Sequence, residues 1–331
     1  MRELLHEGGL SFHLFNKKCY FALKIIVEVV LGIRGRMMNK QLVSCIITTY
    51  NRPKNVLEKA VNSVLRQTYG RENIEVVIVN DAPENKALAI EIKTYCEKVG
   101  VKYVEHEKNK GACAARNTGI NNSSGEIIGF LDDDDEWLED KLSILVPYFD
   151  DSHIALVYGD YYLCNDGKRT IVKREYKGSK PMKDILLSNF IGSTSLPLLR
   201  RQAVIDAELF DKNIRSSQDH DLWIRLIEQG EIAYSPNPIA IYNISEVSIT
   251  SGKGNRVVGY NQLLSKYKTL YEKYPGTLHK RLLIIARTLA RDGNIKDSKQ
   301  FYFAAVRTSA FDSENILYLG SVVKYLLRRK K

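Results

Sequence analysis

Four consecutive aspartates stand in Phe130-Leu-Asp-Asp-Asp-Asp-Glu-Trp137, directly after an apolar run. Carboxylates this close repel one another and resist ionising together unless a cation compensates them. A hard divalent ion, Mg2+ or Mn2+, does so by taking carboxylate oxygens together with the phosphate oxygens of a substrate. A solvated acidic loop is the plainer alternative, yet such a loop has no need of an apolar strand to launch it. The run leaves the register of the ligating residues open among Asp132 to Asp135.

Other polar groups are placed to work with it. Asp81 ends Val76-Val-Ile-Val-Asn-Asp81, where an acid can accept from a ribose or a base; an Asx turn before Pro83 is its bland reading. In Thr48-Thr-Tyr-Asn-Arg52, Tyr50 suits stacking on a nucleobase and Arg52 suits a phosphate. Arg116 stands in the small-residue stretch Asn109 to Gly119, as a partner for phosphate or carboxylate. In Ser216-Ser-Gln-Asp-His-Asp-Leu-Trp-Ile-Arg225, Asp219 or Asp221 can serve as a general base, with His220 as competitor. The same acids also suit a helix N-terminus. The glycine-rich phosphate loop, the dinucleotide fingerprint and the nucleophile elbow are all absent.

These groups need a scaffold, and the chain's rhythm predicts one. Apolar runs at 42–48, 74–79, 101–104 and 126–131 read as strands, and helical spacing follows at 56–65, 86–97 and 111–120. Alternation at this spacing predicts βαβ units and a mostly parallel sheet with helices on both faces. Ligands bind such sheets at the carboxyl ends of the strands, where Thr48 to Arg52, Asp81 and the aspartate run fall. After residue 154 a hairpin is expected around Asn165-Asp-Gly167, then a helix from Asp219 to Gln229. Residues 256–331 read as three or four amphipathic helices broken near Pro275-Gly276, Asp292 to Asn294 and Ala310 to Ser313. The expected division is a basic extension or amphipathic helix over 1–40 and an α/β domain over 41–252. That domain splits into two halves, 41–135 and 136–252; a basic helical region follows over 253–331.

The 331 residues carry 49 Lys and Arg against 39 Asp and Glu, a net charge of +10. The ends are basic and the middle acidic: residues 253–331 hold 17 basic and 5 acidic side chains. This suits an enzyme docked on an anionic membrane surface; a nucleic-acid binder would share the basic ends but not the acidic middle. The most membrane-like stretch, Cys19 to Ile33, is short for a span and interrupted by Lys24 and Glu28. It reads as an interfacial helix, or as sequence upstream of a start at Met37 or Met38. Five scattered cysteines with no Cys-x-x-Cys pair exclude a disulfide framework and a zinc ribbon.

Taken together and in this order, Val43 to Arg52, Ser63 to Tyr69, Val77 to Asp81, Gly111 to Gly119, Phe130 to Trp137 and Gln218 to Arg225 resemble the family 2 glycosyltransferases. The resemblance covers about residues 42–250. It implies a GT-A fold and an inverting, metal-dependent enzyme using a nucleotide-sugar donor, a UDP-sugar by preference. By that likeness Thr48, Tyr50 and Asp81 hold the nucleoside and Arg52, Arg116, Asp132 and Asp133 serve the rest of the donor. Asp134 ligates Mn2+ or Mg2+, and Asp219 is the catalytic base. Asn80-Asp-Ala-Pro83 departs from the family's usual Asp-Asp-Gly-Ser. The acceptor is expected to be a lipid-linked saccharide in cell-envelope polysaccharide assembly, met on the cytoplasmic face of the membrane, with no nucleic-acid partner. A non-catalytic nucleotide-sugar-binding scaffold and a nucleotidyltransferase are the alternatives.

Overall fold

The computed structural model describes residues 40–244, 253–316, 318 and 320. The expectations for residues 1–39, including the Cys19 to Ile33 segment, and for the basic run 324–331 lie outside the described residues.

The first half is built as the apolar rhythm predicts. Strand β1 (Val43–Thr49), β2 (Ile74–Asn80), β3 (Lys102–Glu105) and β4 (Ile127–Asp132) pair in parallel in the order β3-β2-β1-β4. Helix α1 (Lys54–Leu65) starts after Pro53, α2 (Lys86–Val99) is capped by the Asn85 side chain, and α3 (Ala112–Asn121) follows Gly111. Alternate residues of the strands feed two cores. Cys45, Ile47, Val76 and Ile78 pack with α1 and α2 on one face. Ile46, Ile128 and Phe130 pack with α3 on the other. Burial on both faces is why these strands read as continuous apolar runs.

Register then does something the sequence implied only loosely. Thr49 lies opposite Asn80, and Thr48 opposite Asp132. The polar residues that end three strands therefore share one edge of the sheet.

The second half mixes directions. The two-residue β5 (Glu136–Trp137) is followed by α4 (Lys141–Leu145), and then β6 (Ile154–Asn165) and β7 (Lys168–Val172) form the expected hairpin. Asp166 and Gly167 both have positive φ, 48° and 79°, as a two-residue primed turn requires. Helix α5 (Pro181–Leu187), β8 (Leu198–Arg200), α6 (Arg201–Asp206), α7 (Gln218–Gln229) and β9 (Glu231–Asn243) complete a nine-stranded sheet. β9 runs parallel to β6 despite Pro236 and Pro238. The pairing jumps from Gly159↔Ser235 to Asp160↔Pro238, so a bulge takes up Pro236 and Asn237.

The C-terminal helices α8 (Lys253–Lys266), α9 (Lys268–Lys273), α10 (Thr277–Arg291) and α11 (Ile295–Thr308) break near 275–276 and 292–294 as expected. They share the core of the α/β body. Leu263, Tyr267 and Tyr271 join the α3 and α7 cluster, and Arg281 donates to the Leu187 carbonyl at 3.0 Å. Among the described residues no helix is long and apolar enough to cross a membrane.

Candidate active site

Burial alternates along the aspartate run as the chain turns off β4. Asp133 and Asp135 are 6% and 1% exposed, while Asp132 and Asp134 remain half-open. The inner pair is structural. Asp133 accepts from Thr49 Oγ1 at 2.7 Å and Arg52 Nε at 2.9 Å, and burial pushes its carboxyl up to about 6. Asp135 accepts from Ser195 Oγ at 2.6 Å and the Asn243 amide at 3.0 Å. Burial, then the charge of Asp132, holds the Asp135 carboxyl well above the usual range.

The outer pair is partly open to solvent. Asp132 Oδ1 accepts from Arg116 Nη2 at 2.9 Å and Thr194 Oγ1 at 3.2 Å; Asp134 Oδ2 accepts from Arg52 Nη2 at 2.9 Å. Among the described residues the second oxygen of each accepts no hydrogen bond. No cluster of three or more His, Cys, Asp or Glu side chains poised for a metal occurs among them either. Two carboxylates fit a hard divalent cation that draws its remaining oxygens from substrate phosphates and water. Arg52, expected to meet phosphate, instead grips Asp133 and Asp134.

Arg116 is held from two sides. Its guanidinium lies 5.4 Å from the Phe210 ring centre, and Nη1 reaches Gln218 Oε1 at 3.4 Å. Gln218 opens α7 and places Asp219 in its first turn. Asp219 is half-buried and accepts from Asn189 Nδ2 at 2.9 Å. Its carboxyl is raised, by burial first and with a contribution from Asp132, against the lowering pull of the His220 amide and Arg116. Asp219 and Asp132 thus act on each other electrostatically across one site.

The structure separates Asp219 from its two rivals. Asp221 is 1% exposed and bound by Arg225, Lys266 and Tyr267. His220 is buried and donates Nε2–H to the Ile185 carbonyl at 2.6 Å; burial pushes it down to about 3, so it is neutral.

On the nucleotide side, Tyr50 is 46% exposed where the chain bends off β1, and Thr48 is half-buried at that strand's end. Asp81 is 4% exposed and already engaged. It accepts from the Lys110 and Gly111 amides, both at 2.8 Å, and from His106 Nδ1 at 2.7 Å. His106 Nε2 meets Thr118 Oγ1 at 2.8 Å. Asp81 therefore ties the loop that starts α3 to the end of β2, and so sets where Arg116 stands. Asn80 turns aside, donating to Tyr103 Oη at 2.9 Å.

Sequence reading passed over the segment 189–195, which joins the two ends of the site. Asn189 holds Asp219, Thr194 holds Asp132, and Ser195 accepts from the Asp132 amide at 3.1 Å. The Gly192 carbonyl between them takes Trp223 Nε1 at 2.9 Å. Beneath the segment, Lys141 is fully buried and donates to the Ser195 and Leu196 carbonyls at 2.7 and 2.9 Å. It also lies 4.1 Å from the Trp137 ring centre, and burial holds its ammonium well below the usual range. The only sequence signal was a polar stretch, Ser188 to Ser195, with no motif of its own.

Known proteins resemble this chain in sequence and in fold. The sequence profile described as Glycosyl transferase family 2 matches residues 44–207. The teichuronic acid biosynthesis glycosyltransferase TuaG of Bacillus subtilis, so named on provisional grounds, is 31% identical over 65% of this chain and 83% of its own. The glycosyl transferase WcaA of Escherichia coli, provisionally named for colanic acid biosynthesis, is 29% identical over 72% of this chain and 85% of its own. S. aureus TarS in complex with UDP-GlcNAc superposes with a TM-score of 0.55 at 18% identity, over 86% of this chain and 80% of that one. The mannosyltransferase PcManGT from Pyrobaculum calidifontis, in complex with GDP-Man and Mn2+, gives 0.55 at 16% identity, over 87% and 81%. The structural likenesses establish a GT-A-type fold, and the sequence match establishes the family: this chain belongs to glycosyltransferase family 2.

Proposed function

We propose that the protein is an inverting glycosyltransferase that moves a sugar from a nucleotide donor, a UDP-sugar by preference, to a hydroxyl of a lipid-linked saccharide in cell-envelope polysaccharide assembly. One observation carries the reading. Asp219 at the start of α7 and Asp132 at the end of β4 both interact with a single arginine, Arg116: Asp132 by a direct hydrogen bond, Asp219 through its field.

In this reading Asp219, as carboxylate, takes the proton from the acceptor hydroxyl as that oxygen attacks the anomeric carbon. Asn189 aims it, and its raised pKa makes it a stronger base than an exposed aspartate. Arg116 lies where the departing nucleoside diphosphate gains charge, and a fixed cation there lowers the barrier. A single displacement, with Asp219 as the base, inverts the anomeric centre. Asp132 and Asp134 are the residues that would hold Mn2+ or Mg2+, which when bound neutralises diphosphate charge. Tyr50 supplies an exposed face for the base, with Thr48 beside it; Asp81 and Asp133 support the site from beneath. The basic ends of the chain favour the anionic inner face of the cell membrane.

The test is thermal stabilisation by UDP, GDP, dTDP and CDP, each with Mn2+ or with chelator, in wild type and Asp134→Ala. A ligand of the folded state raises its stability by mass action. The expected result is a metal-dependent shift for UDP, lost in the variant. A metal-independent shift, or no shift with any nucleotide, contradicts the reading.

A further inference from the structure

Helix α11 buries Ser298, Phe301 and Ala305. At about 3.6 residues per turn, the side opposite them carries Lys296, Lys299, Phe303 and Arg307, all exposed. Phe303 is 58% exposed at the centre of this basic stripe, and Phe311, just past the helix end, is 103% exposed. A single exposed aromatic needs no explanation. A phenylalanine set among three cations, on the face turned directly away from the core, does. None of the three cations pairs with an acidic residue among those described, and no acidic residue lies on the stripe.

We propose that this outer face of α11, with Phe311, docks on an anionic phospholipid bilayer. Basic groups with interleaved aromatics are the composition of an interfacial helix face: the rings enter the headgroup boundary while the cations meet lipid phosphates. The surrounding chain has the matching charge, with 17 basic against 5 acidic residues over 253–331. Downstream, residues 321–331 add Lys324, Arg328, Arg329, Lys330 and Lys331 with no acid. A second copy of the chain is a poor occupant, because a two-fold contact would set the same cations against each other. The proposal deepens the reading above by naming the surface that brings the enzyme to a lipid-linked acceptor.

The experiment is co-sedimentation of the full chain with vesicles of phosphatidylcholine alone, or of equal parts phosphatidylcholine and phosphatidylglycerol. Lys296→Gln/Lys299→Gln/Arg307→Gln should lower partitioning onto the anionic vesicles by about 10², at roughly fivefold per charge. Phe303→Ser/Phe311→Ser should lower it about tenfold or more. Stabilisation by UDP and Mn2+ should be unchanged in both variants, which keeps failure of this proposal separate from failure of the donor reading. Wild-type partitioning by both variants would overturn it, as would equal binding to neutral and anionic vesicles. Tighter binding to a short RNA than to anionic vesicles, or a dimer that Phe303→Ser/Phe311→Ser dissolves, would overturn it in favour of another partner.

Discussion

Gly119 lies on the face of α3 that presses on β1, and a methyl group built there would fall 2.2 Å from Ile46 Cγ2. Carbon atoms in ordinary contact are about 3.5–4.0 Å apart. In Gly119→Ala the helix must therefore back away by about 1 Å, or Ile46, which is fully buried, must leave its rotamer. Overpacking of this kind costs about 1–3 kcal/mol. The better helix propensity of alanine returns up to about 1 kcal/mol, so a net loss of about 1–2 kcal/mol is expected in urea denaturation. The larger effect should be on turnover. Arg116 sits on the same helix, 2.9 Å from Asp132, and a displacement of about 1 Å at a reacting group costs about 10² in rate. Ile46→Ala in the same chain removes Cγ2 and should restore much of the turnover; stability should not recover, because Ile→Ala in a core costs about 2–5 kcal/mol by itself. Ile46→Val keeps Cγ2 and should rescue nothing. A fully active, fully stable Gly119→Ala chain, or equal rescue by valine and alanine, would refute the reasoning.

Four further outcomes are expected. His220 is neutral in the fold, with a pKa near 3 against an ordinary 6.5. A depressed folded value means that its contribution is present above pH 6.5 and lost as pH falls toward 3, by up to about 5 kcal/mol. His220→Gln, which keeps a donor for the Ile185 carbonyl, should flatten that acid limb in chemical denaturation across this window. His106→Ala removes one donor to Asp81 and one partner of Thr118. It should cost about 1–3 kcal/mol and raise KM for the donor more than it lowers kcat. Lys141→Met leaves the Ser195 carbonyl its Trp137 donor but takes from the Leu196 carbonyl the Lys141 bond. A loss of about 1–3 kcal/mol is expected, with weaker donor binding as Thr194 and Ser195 shift. The raised pKa of Asp219 places the acid limb of the kcat profile above the ordinary aspartate range near 3.8, with rate rising as the carboxylate forms. A limb at or below that value would remove Asp219 from the base role.

How much of this was readable beforehand follows from the distance over which each feature is encoded. β1, β2 and β4 are buried on both faces, so the local run of apolar residues is nearly the whole signal, and the strand ends follow from it. The Asn165 to Gly167 turn and the breaks in the C-terminal helices are likewise local chemistry. β9 was hidden because its two prolines speak against a strand, and only the bulge opposite Gly159 and Asp160 makes room for them. Within the site, the residue types near Asp132 and Asp219 were legible, but their partners were not. Arg52 turning to Asp133, Asp81 tying down the Lys110 and Gly111 amides, and segment 189–195 bridging the two carboxylate groups are contacts between distant parts of the chain. Residue spacing carries no trace of them. The alternation of inner and outer aspartates was also out of reach, because it depends on how the chain turns after β4 and on Ser195 and Asn243 arriving from elsewhere.

The measurement closest to the central claim is sugar transfer by Asp219→Asn, made beside UDP stabilisation of the same protein. Asparagine keeps the shape and the contact with Asn189 but cannot take a proton. A positioned base contributes about 10²–10⁴ in rate. The account predicts a loss of that size in kcat with inverted product in the wild type and unchanged stabilisation by UDP and Mn2+ in the variant. Turnover within a few fold of wild type, or a product of retained configuration, would contradict it.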